Sequence, residues 1–345
     1  MRKLLVLGGA GFIGHQVASH WVESHTDACV TVLDSMSSPF ASARMQNFAA
    51  RDGVRFIHGD IREPRLLQDC LAEHGFDAVL HVATGLDSGP FAPLDASEDF
   101  SASTQAAMQA LTGLSGPKPV LGMVVSTAPW GNDINKVIGH RVAMRPATAL
   151  GVAEAVACEV ALGLGRAGAI DTRLYAAPLA FGPGQMEGPV ADLIAALLLG
   201  YPVTTRLPAE VRWNGVYAPD LAARVCADLR VPIGPGDIRR VVGNPGRGWA
   251  ALVNELAGLL ERFFATNPAL KHRFPNATWT CHTKGIDIVH PGWPEQLDTG
   301  IGALTEPATG WSAALAETLR WYLSNQASWQ GPFESTLSAR VAIDQ

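Results

Sequence analysis

The chain predicts an α/β fold: a doubly wound parallel sheet with a smaller C-terminal α/β domain. Three observations predict it. Short apolar runs alternate with helical stretches through the first half of the chain. The first run, Leu4 to Leu7, leads straight into Gly8-Gly9-Ala10-Gly11-Phe12-Ile13-Gly14. The second, Ala28 to Leu33, stops at an acid, Asp34. Apolar strands separated by helices are what a parallel sheet covered on both faces requires.

Each element follows from its residues. Gly8 and Gly11 let the backbone turn and approach a pyrophosphate, and Gly14 lets the next helix, over about 12–25, pack close to the sheet. The start of that helix, at Phe12 and Ile13, offers N–H groups to phosphates. Asp34, about twenty residues on, can accept both ribose hydroxyls. Strand, glycines, helix, strand and acid in this order mark a Rossmann-type dinucleotide site, where a lone glycine turn would not. No Arg or Lys follows Asp34 at once, so a 2′-phosphate would meet negative charge, and NAD is expected over NADP. Val54 to His58 is a third strand, ending in Gly59-Asp60-Ile61-Arg62, where Asp60 can accept the adenine amino proton. Asp77 to Val82 is a fourth; with His81 and the following Ala83-Thr84 it passes under the cofactor. Val120 to Val125 is a fifth, stopping at Ser126-Thr127, and Ile170 to Leu174 begins a sixth.

Bulk properties bound the rest. A chain of 345 residues can form one large α/β domain plus a smaller one. Its net charge of −6 argues against a nucleic-acid partner. The longest strongly apolar run, 191–199, carries Asp192 and is too short to span a bilayer, so no membrane is expected. Met1 to Leu4 enters a strand without a small-residue cleavage site. The five cysteines are odd in number and widely spaced, which predicts no disulfide framework and a cytoplasmic setting. Cys281, His282 and His290 form no tight ligand cluster, and no metal is expected.

Further landmarks occur in order: HVAT at His81–Thr84, STAPWG at Ser126–Gly131, FGPGQ at Phe181–Gln185, VYAPDLA at Val216–Ala222 and WSAALAETLRWY at Trp311–Tyr322. Together with GGAGFIG, Asp34 and GDIR they resemble the extended short-chain dehydrogenase/reductase family, most closely its NAD-dependent nucleotide-sugar epimerases and dehydratases. The resemblance implies that Gly8, Gly11, Phe12, Ile13, Gly14, Asp34, Asp60, Ile61, His81, Ala83, Thr84 and Ser126 face NAD. It also implies a catalytic Ser or Thr, a Tyr, and a Lys four residues after the Tyr on the same helix face. A phenol with a pKa of about 10 is a poor base at neutral pH without a nearby cation.

Here the chain departs from the pattern. The hydroxyl is Ser126, or Thr127 if the loop shifts by one. On the helix Pro146 to Leu164, Leu150 and Glu154 fall where the resemblance places Tyr and Lys. No Tyr-x-x-x-Lys occurs anywhere; the tyrosines are Tyr175, Tyr201, Tyr217 and Tyr322. On the substrate side, alongside Thr84, Thr127 and Leu150, Leu179 stands where relatives often carry a polar residue. Trp213 stands where relatives commonly carry a phosphate-gripping Arg, with Arg212 one residue earlier and Arg206 further back.

The expected function is therefore an atypical epimerase/dehydratase-family enzyme acting by hydride transfer on a sugar or sugar-like secondary-metabolite substrate. Lys136, His140 and Glu154 are the replacement acid/base residues beside Ser126 and Thr127. The alternatives are a catalytically inactive NAD-binding regulator or scaffold, and a non-redox lyase or cyclase using the same cleft. Residues 1–175 are expected to form the NAD-binding domain, with about 210–245 returning to it; 176–325 mainly form the substrate domain, and 326–345 a weakly ordered tail. Thr148 to Leu164 is rich in Ala, Gly and Val, and with Ser97 to Leu111 it matches the pair of helices that the resemblance assigns to a homodimer interface.

Overall fold

The computed structural model describes residues 2–82, 94–131, 144–177, 179–201, 212–213, 215–231, 237–240, 247–278 and 308–341. The N-terminal half runs β1 (Lys3–Leu7), α1 (Phe12–Glu23), β2 (Cys29–Asp34), α2 (Ala41–Met45), β3 (Val54–His58) and α3 (Pro64–His74). It continues with β4 (Ala78–His81), α4 (Leu94–Thr112), β5 (Val120–Val125), α5 (Ala149–Arg166) and β6 (Thr172–Ala176). The rest comprises β7 (Ala180–Phe181), α6 (Pro189–Leu199), β8 (Arg212–Trp213), β9 (Val216–Tyr217), α7 (Ala218–Arg230) and β10 (Asp237–Arg240). It closes with β11 (Arg247–Gly248), α8 (Trp249–Thr266), α9 (Ala269–Arg273), α10 (Trp311–Ser324) and α11 (Gln326–Val341).

The main sheet has seven strands in the order β10-β6-β5-β4-β1-β2-β3, all pairs parallel. This is the doubly wound Rossmann arrangement, and it explains why β1 is a continuous apolar run. Leu4 and Val6 enter the core shared with Val17 and Trp21 of α1 and Leu221 and Val225 of α7. Leu5 and Leu7 enter the opposite core with Leu67 and Leu71 of α3, Phe100 of α4 and Leu162 of α5. A strand buried on both faces needs no polar alternation. The order reverses between β1 and β4, so the ligand crevice of such a sheet lies beyond the carboxyl ends of these strands. The fourth strand starts at Ala78, and Asp77 before it anchors this end of the sheet: its N–H donates to the Lys3 carbonyl at 3.0 Å, and its carboxylate accepts the backbone N–H groups of Arg2 and Lys3 at 2.6 and 2.9 Å.

A third core holds the C-terminal elements. Val190, Leu193, Ile194, Leu197 and Leu198 of α6 pack there against Leu256 and Leu260 of α8 and Leu315 and Leu319 of α10. The apolar run over 191–199 thus lies in a protein core, and no helix among the described residues is long and apolar enough to cross a membrane. The expected weakly ordered tail is corrected by α11: Trp329 and Phe333 are buried in this core, and the Trp329 indole N–H donates to the Tyr322 carbonyl at 2.9 Å. Two aromatic anchors outweigh the helix's poor amphipathic pattern and its internal Pro332. Trp329→Ala is therefore expected to cost about 3–5 kcal/mol, read as a lowered denaturation midpoint; a disordered tail would leave the midpoint unchanged.

Candidate functional site

The crevice side of the sheet is built first by the glycine loop. Gly8 sits at φ +85°, a left-handed conformation that glycine adopts without strain, and its N–H donates to the Leu33 carbonyl at 2.9 Å. A Cβ on Gly14 would lie 2.4 Å from the Gly8 carbonyl oxygen and 2.9 Å from a Val82 methyl, so only glycine lets α1 approach loop and sheet this closely. No side chain caps the first turn of α1 and no acid lies in it. A helix start of that kind suits a phosphate.

Asp34 ends β2 and is fixed by two backbone donors: Ala10 N–H to Oδ2 at 2.9 Å and Met36 N–H to Oδ1 at 2.8 Å. Met36, at φ +58°, is the one described residue other than glycine with a positive φ. Each carboxylate oxygen keeps acceptor capacity, so a ribose diol fits Asp34. Asp60 is gripped by Arg62, whose Nε and Nη2 donate to Oδ2 at 2.9 and 2.5 Å, and these hydrogen bonds hold the Asp60 carboxyl below its usual range. An adenine amino group would share that carboxylate with the guanidinium. The Ile61 side chain lies in the core beside Leu67. His81 is buried, its Nε2 is 3.0 Å from Thr104 Oγ1, and burial pushes its pKa down to about 4, which leaves the ring neutral.

The second part of the candidate site centres on the end of β5. Thr148 caps α5 by accepting the Gly151 N–H at 3.0 Å, and a Cβ on Gly151 would meet the Ala128 carbonyl at 2.7 Å. This close approach brings α5 onto the loop after β5 and places Glu154 against Ser126. Glu154 is 1% exposed. Its Oε1 accepts the Ser126 N–H at 3.1 Å, and its Oε2 is bonded to the Ser126 hydroxyl. Ser126 Oγ in turn accepts the Ala128 N–H at 3.0 Å. Burial raises the Glu154 pKa to about 7, against the opposing pull of the two Ser126 bonds. A carboxyl that titrates near neutrality, joined to a half-buried hydroxyl, can store a proton and pass it on.

The other expected site residues divide. Leu150 is buried one turn before Glu154. Thr127 is half-buried, and its carbonyl accepts the Trp130 N–H at 3.2 Å. Leu179 packs against the C-terminal core, and Arg212 lies in β8, paired with Gly248. Ala83, Thr84, Lys136, His140 and Arg206 lie outside the described residues, as do Cys281, His282 and His290.

Sequence reasoning missed Arg44 and Gln16. The Arg44 side chain, 1% exposed, donates to the Ala10 and Gly184 carbonyls, both at 3.3 Å, and to Glu187 Oε1 at 3.0 Å. Gln16 donates to the Pro183 carbonyl at 2.6 Å. An Arg in a polar stretch after a strand reads as solvated, and nothing local announces acceptors more than a hundred residues away.

The sheet order, the glycine loop and the acid ending β2 define an open parallel α/β protein of the Rossmann type with a dinucleotide-type loop. Residues 4–232 match the NAD dependent epimerase/dehydratase family, and the chain belongs to that family. It is 41% identical over 81 residues to the dTDP-glucose 4,6-dehydratase of Mycobacterium tuberculosis, a match taking in 24% of this chain and only 23% of that protein. The fold is similar to that of the Bacillus anthracis dTDP-glucose 4,6-dehydratase solved with NAD, with a TM-score of 0.80 and 16% identity over 96% of this chain and 100% of that one. The Streptomyces venezuelae dTDP-glucose 4,6-dehydratase solved with NAD gives a TM-score of 0.72 and 23% identity over 96% and 100% of the two chains.

Glu154 makes stability depend on pH. Its folded pKa of about 7 lies above the ordinary value of 4.5, so its contribution is complete below pH 4.5 and is lost as pH rises through 7. Denaturant titrations should show the wild type losing roughly 3 kcal/mol against Glu154→Gln over that window. An unchanged difference between the two would show that the carboxyl titrates normally.

Proposed function

We propose that this chain is an NAD-dependent enzyme acting on a sugar-nucleotide-like substrate, in which Ser126 and Glu154 carry the proton usually moved by the family's Tyr and Lys. The reading takes Leu150 and Glu154 as the residues standing at those two positions. The observation that carries it is the buried Glu154 carboxyl bonded to the Ser126 hydroxyl at the end of β5.

In this reading the start of α1, with Gly8, Gly11 and Gly14, would hold the pyrophosphate, Asp34 the adenosine ribose and Asp60 the adenine amino group. The absence of a cation after Asp34 favours NAD over NADP. When bound, the cofactor supplies a hydride acceptor. As a substrate carbinol is oxidised, Ser126 Oγ takes the hydroxyl proton and passes its own to Glu154 Oε2; the reverse transfer accompanies reduction. Glu154 must be ionised to accept, so turnover in the oxidative direction should rise with pH through about 7. Lys136 and His140 are the alternative proton carriers.

A second reading is favoured by Leu150, an alkyl side chain that can transfer no proton: a regulator or scaffold that holds NAD without turnover. Calorimetry with NAD, followed by assays against UDP- and dTDP-sugars, separates the two. Glu154→Gln and Ser126→Ala should each keep NAD affinity within about twofold while lowering kcat by on the order of 10²–10⁴. Wild-type turnover retained in Glu154→Gln would remove the pair from the mechanism. NAD binding with no turnover of any sugar nucleotide would favour the regulator.

A homodimer through α5 belongs to the same proposal. Val152, Val156 and Val160 recur every fourth residue along α5 and are 50%, 56% and 48% exposed. Such an apolar stripe suits a second copy of the helix. Light scattering should give twice the chain mass for the wild type and a monomer for Val156→Glu; a monomeric wild type would refute the assignment.

A further inference from the structure

We propose that Arg44 is a positioning residue that couples occupancy of the glycine loop to the order of the turn over 182–187. The inference rests on the proposed NAD reading and goes beyond it. The Arg44 guanidinium touches segments far apart in the chain: the Ala10 carbonyl of the glycine loop, the Gly184 carbonyl of the turn, and the Glu187 carboxylate just after it. It also sits 5.8 Å from the centre of the Phe40 ring. The side chain is 1% exposed, and a charge so placed needs every one of these acceptors. The planar fork reaches several acceptors at once, which an ammonium cannot do in the same geometry.

The two ends of this link differ in kind. Ala10 is held at both of its peptide bonds, its N–H donating to Asp34 and its carbonyl accepting from Arg44. Its orientation fixes the loop that faces the pyrophosphate. The turn is closed within itself: Pro183 and Gly184, at φ +81°, occupy its centre, and the Gln185 N–H donates to the Gly182 carbonyl at 3.2 Å. Where it sits is set from outside, and among its side-chain partners Arg44 is the one that also grips the glycine loop. A ligand that orders Ala10 strengthens one arm of the guanidinium and sets the position of the others. The partly buried His15 beside Arg44 stays neutral, its pKa pushed to about 4 by burial and by Arg44, so it supplies no competing charge near neutral pH.

The test is hydrogen–deuterium exchange of peptides covering 181–188, with and without saturating NAD, alongside NAD affinity by calorimetry. In the wild type, NAD should slow exchange in this turn several-fold. In Arg44→Lys, affinity should fall about tenfold, within the 5–150-fold span typical of coupled sites. Protection of the turn should also be lost even at saturation. Glu187→Gln, which alters an exposed partner and keeps Arg44, should show the same loss in weaker form, and it carries the test if Arg44→Lys fails to fold. A turn that NAD protects equally in the wild type and the variants, or does not protect in the wild type, overturns the coupling while leaving the cofactor reading intact. A wild type that binds no NAD overturns both.

Discussion

Three successive carbonyls, those of Pro183, Gly184 and Gln185, accept side-chain hydrogen bonds from Gln16 of α1, Arg44 of α2 and Tyr322 of α10. The turn is closed within itself by Pro183, by Gly184 at φ +81° and by the Gln185 N–H donating to the Gly182 carbonyl at 3.2 Å. Donors from three separate elements fix where it sits. The same contacts join the cores: α1 belongs to the sheet core, while Tyr322 lies in the C-terminal core beside Trp329. This junction joins the C-terminal elements to the sheet, together with the bonds of Asp220 to Thr309 and of Tyr217 to Glu317.

The parts legible in the sequence are those where a residue type is itself the constraint. Gly8 needs a left-handed backbone and Gly14 needs the absence of a Cβ, so both appear as glycines at a readable spacing. The LLVL run of β1 announces burial on both faces, and an acid ending β2 announces a hydroxyl-binding end of the sheet. The residues that escaped are those whose meaning is a distant partner. Arg44 and Glu187 are 143 positions apart, and neither has a local pattern that betrays the other. α11 escaped for a related reason: it is held by Trp329 and Phe333 in a core to which α6, α8, α9 and α10 contribute, while its own sequence is polar and contains Pro332. Glu154 lay between these cases. Its place on the helix was readable from the spacing, but its partner is 28 residues back, on a loop whose approach depends on Gly151.

Burial gives Glu154 a cost and a capacity together. Around it α5 contributes Ala153, Ala157 and Cys158, none of which can share a charge. Ionising a carboxyl there is expensive, and the Ser126 N–H and hydroxyl offset only part of the cost. The carboxyl consequently changes protonation near neutral pH with the Ser126 hydroxyl bonded to it.

In the proposed reading a carboxylate and an alkyl group stand where the family pattern has a cation and a phenol. A phenol of pKa about 10 needs a neighbouring positive charge before it can work near neutrality. With Leu150 read in its place there is no phenol for a cation one turn away to activate. Desolvation lifts the Glu154 carboxyl to about 7 against the lowering pull of its two Ser126 bonds, with no charged neighbour needed. In the proposed reading two cooperating residues give way to one carboxyl and the serine already at the end of β5. The pKa is then set by how dry the site is, not by charge, so the chemistry depends on the packing of α5 against the Ser126 loop.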